Sequence, residues 1–194
     1  MALVTLVSGG LDSTLMAVLT KEQGLKQFPL FIDYGQLAAR RELAACKATF
    51  RKLRLPAPAV LRIPGYGALI KSGITDSRMN VVRDAFLPGR NTLFLLAGAA
   101  YARQKRAQAV CIGLLDEARH LFPDQTSAFL SSMEHLLRDA VSYPIAVKAP
   151  LAQLNKQAVI ELASQKRITG TYSCHRGGKV PCGKCISCAE FGLA

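Results

Sequence analysis

Four cysteines near the C-terminal end, Cys174-x7-Cys182-x2-Cys185-x2-Cys188, carry the spacing of a metal knuckle. Two Cys-x-x-Cys steps gather thiolates around one ion, and Cys182-Gly183-Lys184-Cys185 includes the glycine that such a turn needs. Four thiolates make a closed tetrahedral shell, which points to structural Zn²⁺ with no open position for chemistry and leaves His175 outside it. Arg176, Lys179 and Lys184 can offset its charge of about −2. Free thiols or a redox pair are the bland alternatives. The remaining two cysteines, Cys46 in a helix-like segment and Cys111 in a strand-like one, read as buried small hydrophobes.

A second group of residues suits anion chemistry. Val7-Ser8-Gly9-Gly10-Leu11-Asp12-Ser13-Thr14 follows an apolar strand and opens a helix. Paired glycines let the backbone turn tightly and aim its N–H groups at a phosphate. The helix N-terminus adds partial positive charge, and Ser8 and Ser13 add hydroxyls. Asp12 fits such a cradle if it holds Mg²⁺ or caps the helix. The loop lacks both the Gly-Lys-Ser/Thr ending of a Walker loop and the Gly-x-Gly-x-x-Gly of a dinucleotide site. An ordinary glycine turn before a capped helix is the alternative.

Further along, Pro88-Gly89-Arg90-Asn91 precedes a helix, so Asn91 is expected to cap it while Arg90 reaches a phosphate or carboxylate. The alternative is a turn and a cap alone. Lys156 opens a late helix behind the cap Asn155 and could stabilise charge building on phosphates, or simply be solvated. Asp33, at a strand end, either binds a ribose hydroxyl or caps a turn.

The elements that must position these groups alternate. Strands are expected at Leu3–Val7, Phe28–Ile32, Ala59–Ile63, Ala109–Gly113 and Ile145–Val147. Helices are expected over Ser13–Gln23, Leu37–Leu53, Thr92–Gln104, Thr126–Ala140 and Lys156–Ser164, with an irregular stretch from Pro64 to Arg90. Apolar strands each followed by a helix indicate a doubly wound α/β fold, a parallel sheet covered on both faces. Ligands then bind beyond the carboxyl ends of the strands, where the loops at 8–13, 33–36, 88–91 and 113–125 should converge. The expected organisation is a nucleotide-binding domain over 1–165 with a zinc-binding segment, 166–194, packed on it.

Ser8-Gly9-Gly10-Leu11-Asp12-Ser13 resembles the SGGxDS motif of the PP-loop ATP pyrophosphatases, a Rossmann-like class that transfers AMP to a substrate oxygen and releases pyrophosphate. Asp33-Tyr34-Gly35-Gln36, Pro88-Gly89-Arg90-Asn91, Phe122-Pro123-Asp124 and the terminal cysteines, in that order, resemble the 7-cyano-7-deazaguanine synthase family. The resemblance implies ATP and Mg²⁺ at Ser8, Gly9, Gly10, Leu11, Asp12, Ser13, Thr14 and Asp33, and zinc on the four cysteines. It implies substrate contacts at Tyr34, Gln36, Arg90, Asn91, Phe122, Pro123 and Asp124, with Asp12, Arg90 and Lys156 catalytic. The implied reaction makes the nitrile of 7-deazaguanine for queuosine biosynthesis, from the carboxylate and ammonia, in a cytoplasmic homodimer. One stretch departs from the family pattern: Ala118-Arg119-His120-Leu121-Phe122-Pro123-Asp124-Gln125-Thr126 stands where Asp-x-Ser-Gly-Tyr-Pro-Asp-Cys-Arg is usual. A homologue that stops at the amide, or joins the deazapurine to another amine, including one on a protein, is therefore a second expectation.

Bulk composition agrees with an enzyme of this kind. The 194 residues suit one domain, and half of them are hydrophobic, enough for a sizeable core. No apolar run reaches the ~18 residues of a membrane span, and the apolar start lacks a basic leader, so a cytoplasmic address is expected. A net charge of +12 favours anionic ligands. The clusters Arg51-Lys52-Leu53-Arg54 and Arg103-Gln104-Lys105-Arg106 read as helix ends. A non-catalytic nucleotide- or RNA-binding module is the reading from another class. Its stacking platforms are scarce, with five Tyr, eight Phe and no Trp, and nucleic acid is not required.

Overall fold

The computed structural model of the chain describes residues 1–116 and 121–192. Five strands form one sheet: β1 (Ala2–Val7), β2 (Lys26–Asp33), β3 (Ala59–Arg62), β4 (Ala109–Cys111) and β5 (Ala146–Lys148). Their order is β3-β2-β1-β4-β5, and every neighbouring pair is parallel. Strand order reverses beside β1, so a crevice opens between the carboxyl ends of β1 and β4, where such sheets take ligands.

Helices cover both faces. α1 (Leu11–Glu22), α2 (Ala39–Lys52) and α6 (Lys156–Gln165) pack on one side; α4 (Arg90–Lys105) and α5 (Ser127–Val141) pack on the other. β1 shows why both sides close: Leu3 and Val7 point into the first layer, and Val4 and Leu6 into the second, as period-2 alternation requires. Phe31, Leu15, Met16 and Phe50 fill the first core; Leu95, Val110, Leu137 and Ile145 fill the second. α4 comes close to the sheet because Gly98 carries no side chain: a Cβ there would lie 2.7 Å from Val110 Cγ1.

Local chemistry sets the boundaries. Thr126 caps α5 by accepting from Phe129 N, and Asn155 caps α6 by accepting from Ala158 N. The stretch from 64 to 89, expected to be irregular, contains only the short α3 (Gly65–Leu69) and a set of turns pinned by Gly73 N donating to Asp84 O at 2.6 Å. Its task is to deliver Arg90, with Tyr66 Oη donating to Pro88 O just before α4. The final short helix, α7 (Ile186–Glu190), begins on the cysteine cluster. Among the described residues no helix is long and apolar enough to cross a membrane.

Both basic clusters lie at the last turns of α2 and α4, and Cys46 and Cys111 are buried. Burial pushes each of those two thiols up to about 12, so neither is a nucleophile at neutral pH.

Candidate active site

At the carboxyl ends of β1, β2 and β4 lies a cavity of about 550 Å³. Of the residues singled out from the sequence, Ser8, Gly10, Leu11, Asp12, Ser13, Tyr34, Gln36, Arg90, Asn91, Phe122 and Lys156 line it. Gly9, Thr14, Asp33, Pro123 and Asp124 are not on its wall. Ala118, Arg119 and His120, part of the stretch that departs from the family pattern, lie outside the described residues.

The glycine loop is held by its own hydroxyls. Ser8 N donates to Ser13 Oγ at 3.1 Å, Gly10 N donates to Ser8 Oγ at 3.2 Å, and Thr14 Oγ1 donates to Gly10 O at 2.8 Å. Gly9 has φ +84°, and a Cβ there would sit 2.3 Å from Glu42 O. The loop therefore turns in the left-handed region and rests directly on the first turn of α2. On its other side Tyr172 N donates to Gly9 O at 2.9 Å, so the C-terminal segment also frames it.

Charge is arranged around that loop. Lys156 Nζ lies 2.9 Å and 3.0 Å from the two Asp12 carboxylate oxygens and 3.2 Å from Glu190 Oε2. The ammonium also sits 4.6 Å from the centre of the Phe191 ring, a cation–π contact. Arg90, the first residue of α4, faces the same space. Asn91 does not cap α4 as its position suggested. The helix begins two residues earlier than expected, at Arg90, with Gly89 in the left-handed region at the cap. Asn91 falls inside the first turn, where its side-chain amide donates to Asp124 O at 2.9 Å and its backbone N donates to Asp124 Oδ2 at 3.4 Å. Asp33 caps the turn after β2, its Oδ1 accepting from Gly35 N at 3.2 Å.

The wall beyond β2 was not legible as a unit. Tyr34 N donates to Gln36 Oε1, and Gln36 Nε2 donates to Glu42 Oε2 at 2.9 Å. Burial pushes the Glu42 carboxyl up to about 7 and the Tyr34 hydroxyl up to about 12. His175, next to a cysteine of the cluster, faces the cavity; burial first, then Arg90 and Lys156, lowers it to about 4, which keeps it neutral at pH 7. Asp116 Oδ1 and His175 Nδ1 are buried with no hydrogen-bond partner among the described residues. Glu42, Asp116, His175, Glu190 and Phe191 were missed in the sequence. Only His175 carried a local signal, its adjacency to Cys174.

The four cysteines come together as their spacing requires. Their sulfurs all lie within 4.8 Å of one another, with Cys182 and Cys188 Sγ at 3.9 Å and Cys185 and Cys188 Sγ at 3.4 Å. A tetrahedral Zn–S₄ shell has sulfurs about 3.8 Å apart, so the set fits the ion. Backbone N–H groups of Cys182, Lys184 and Cys188 donate to these sulfurs at 3.3–3.5 Å, spreading their charge. Arg176 fastens the knuckle to the body by donating to Ser77 O and Met79 O at 2.8 Å and 3.1 Å.

Residues 2–191 match the family described as queuosine biosynthesis protein QueC. A protein of Desulfitobacterium hafniense named 7-cyano-7-deazaguanine synthase 2 is 34% identical, over 95% of this chain and 84% of its own length. The 7-cyano-7-deazaguanine synthase of Nautilia profundicola is 30% identical, over 95% of this chain and 89% of its own. Among solved structures, the U34-tRNA thiolase NcsA from Methanococcus maripaludis with its [4Fe-4S] cluster superposes with a TM-score of 0.60 at 14% identity, covering all of this chain and 64% of that one. That likeness is one of fold.

Proposed function

The chain belongs to the QueC family of queuosine biosynthesis proteins, and from that premise we propose that it converts 7-carboxy-7-deazaguanine to 7-cyano-7-deazaguanine with ATP and ammonia. The observation that carries this reading is the convergence of the Ser8–Ser13 loop, Asp12, Lys156 and Arg90 on one cavity. In the first half, a carboxylate oxygen attacks the α-phosphorus of ATP and pyrophosphate leaves. Ammonia then forms a C–N bond as the C–O bond to AMP breaks, with loss of a proton. In the second half, the amide oxygen attacks a second α-phosphorus. Cleavage of the C–O bond, with loss of the two N–H protons over that half, leaves the nitrile.

The chain's own share is alignment and charge neutralisation. Backbone N–H groups at the start of α1 would face the phosphates, Arg90 and Lys156 would offset charge on them, and Asp12 would hold Mg²⁺ from its cavity face, beside its contact with Lys156. The donor set at the knuckle suits structural Zn²⁺, with Cys174, Cys182, Cys185 and Cys188 as ligands. No covalent nucleophile is needed, in keeping with the two buried, unreactive thiols.

A second reading keeps the adenylation and changes the acceptor. Leu121, 59% exposed, lines the cavity beside Phe122, and Gln125 spends its side-chain oxygen on the backbone N–H groups of Leu121 and Phe122. An apolar lip of this kind suits a larger amine than ammonia.

Pyrophosphate release from ATP, driven by 7-carboxy-7-deazaguanine and ammonium and read together with product mass, tests both. A nitrile is expected. An amide as the only product, or a conjugate with an added amine, would select the second reading. Absence of substrate-dependent release would overturn both.

A further inference from the structure

Glu42 stands apart from the other cavity carboxylates. Asp12 and Glu190 are both engaged by Lys156, and Asp116 lies on the far side, beyond β4, beside Leu154. Among the described residues no cation comes within ion-pair distance of Glu42. Among the described residues its carboxylate accepts one hydrogen bond, from Gln36 Nε2, and Gln36 is itself held by Tyr34 N and Ile32 O. The carboxylate is thus held in place at the cavity wall and short of donors.

Charged and titratable groups face it from every packed element. Asp33 and Tyr34 come from the end of β2, Arg90 from α4, Cys46 from its own helix and Tyr172 from the C-terminal segment. Their sum does not make up for burial, which leaves the carboxyl near 7. A carboxylate accepts only, and it gains most from a ligand that brings two N–H donors side by side.

We propose that Glu42, oriented by Gln36, recognises the 2-amino-lactam edge of the deazapurine and is the specificity-determining residue of the acceptor pocket. This deepens the reading given above and rests on it. The ring N–H and the adjacent amino group of such a base present two parallel donors to the two carboxylate oxygens. Adenine offers a donor beside an acceptor on the corresponding edge, so its ring nitrogen would confront a carboxylate oxygen. The same residue therefore excludes the base of ATP from the acceptor pocket. A site built to satisfy a polar edge discriminates against an analogue lacking it far more sharply than an apolar slot does.

The test is direct binding, by calorimetry, of 7-carboxy-7-deazaguanine and of the analogue lacking the 2-amino group, with ATP titrated separately. The full chain is compared with Glu42→Gln and Glu42→Asp. Wild type is expected to prefer the 2-amino compound by about 100-fold, a preference that collapses below about tenfold in Glu42→Gln and is partly kept in Glu42→Asp, with ATP affinity unchanged. An undiminished preference in Glu42→Gln would overturn the assignment. So would equal weakening of both ligands and ATP, which marks a structural role, or a rise in the KM for ammonium alone, which marks an ammonium site. Failure of wild type to bind either deazapurine would instead remove the reading beneath it, and the assignment with it.

Discussion

Lys156 and Asp12, 144 residues apart in the chain, meet through both carboxylate oxygens at 2.9 Å and 3.0 Å. The pair joins the first turn of α6 to the first turn of α1, directly under the glycine loop. Lys156 is 7% exposed, while Asp12 keeps a face toward the cavity. Glu190 and Phe191 complete the seat of the ammonium from α7 and the residue after it, which ties the metal knuckle to the same cation.

Lys156→Met keeps most of the side-chain stem and removes the charge. Substrate-dependent pyrophosphate release is expected to fall by roughly 100-fold or more in kcat, as for loss of one preorganised electrostatic contact. Steady-state kinetics check this; a KM change at constant kcat would assign Lys156 to ground-state binding instead.

Removing the metal should be felt beyond the knuckle. The segment 170–176 is hydrogen-bonded to Thr49, Gly9, Ser77 and Met79. Binding energy of a structural metal is folding energy, so chelation should release this segment and weaken ATP binding as well. Limited proteolysis and ATP titration after chelation report both effects, and metal analysis should find one zinc per chain. Full protection and full activity in metal-free protein would refute the coupling.

Gly9→Ala should be disruptive twice over, through a left-handed φ of +84° and through a Cβ placed 2.3 Å from Glu42 O. The second contact is with backbone and cannot be relieved by a rotamer change. A loss on the order of 2 kcal/mol in denaturant unfolding is expected, together with a raised KM for ATP.

Glu42 makes stability depend on pH. Its folded pKa of about 7 lies above the ordinary 4.5, so the folded state binds more protons between those values. The favourable contribution is complete below about pH 4.5 and is lost as pH rises through 7. Glu42→Gln, which cannot ionise, should therefore be more stable than wild type at pH 8, on the order of 2 kcal/mol, with the difference shrinking toward pH 5. Thermal melts of both proteins across that range measure it; an advantage that is flat with pH would assign the stabilisation to something other than ionisation.

What the sequence determined by itself is what depends on neighbours in the chain. Alternation at Leu3–Val7, the cap Asn155, the turn at Gly9-Gly10 and the Cys-x-x-Cys steps are local physics, and each stands where its spacing placed it. Even so, Asn91 was misread, because its side chain answers to Asp124, 33 positions away, rather than to the helix it opens. The wall of Gln36 and Glu42, the inward face of His175 and the grip of Glu190 and Phe191 on Lys156 follow no period and no motif. They exist because a parallel sheet brings separate loops to one edge, and because burial there changes what a carboxylate or an imidazole does. Through-space proximity and desolvation are properties of the packed chain, so only the tertiary structure decided them.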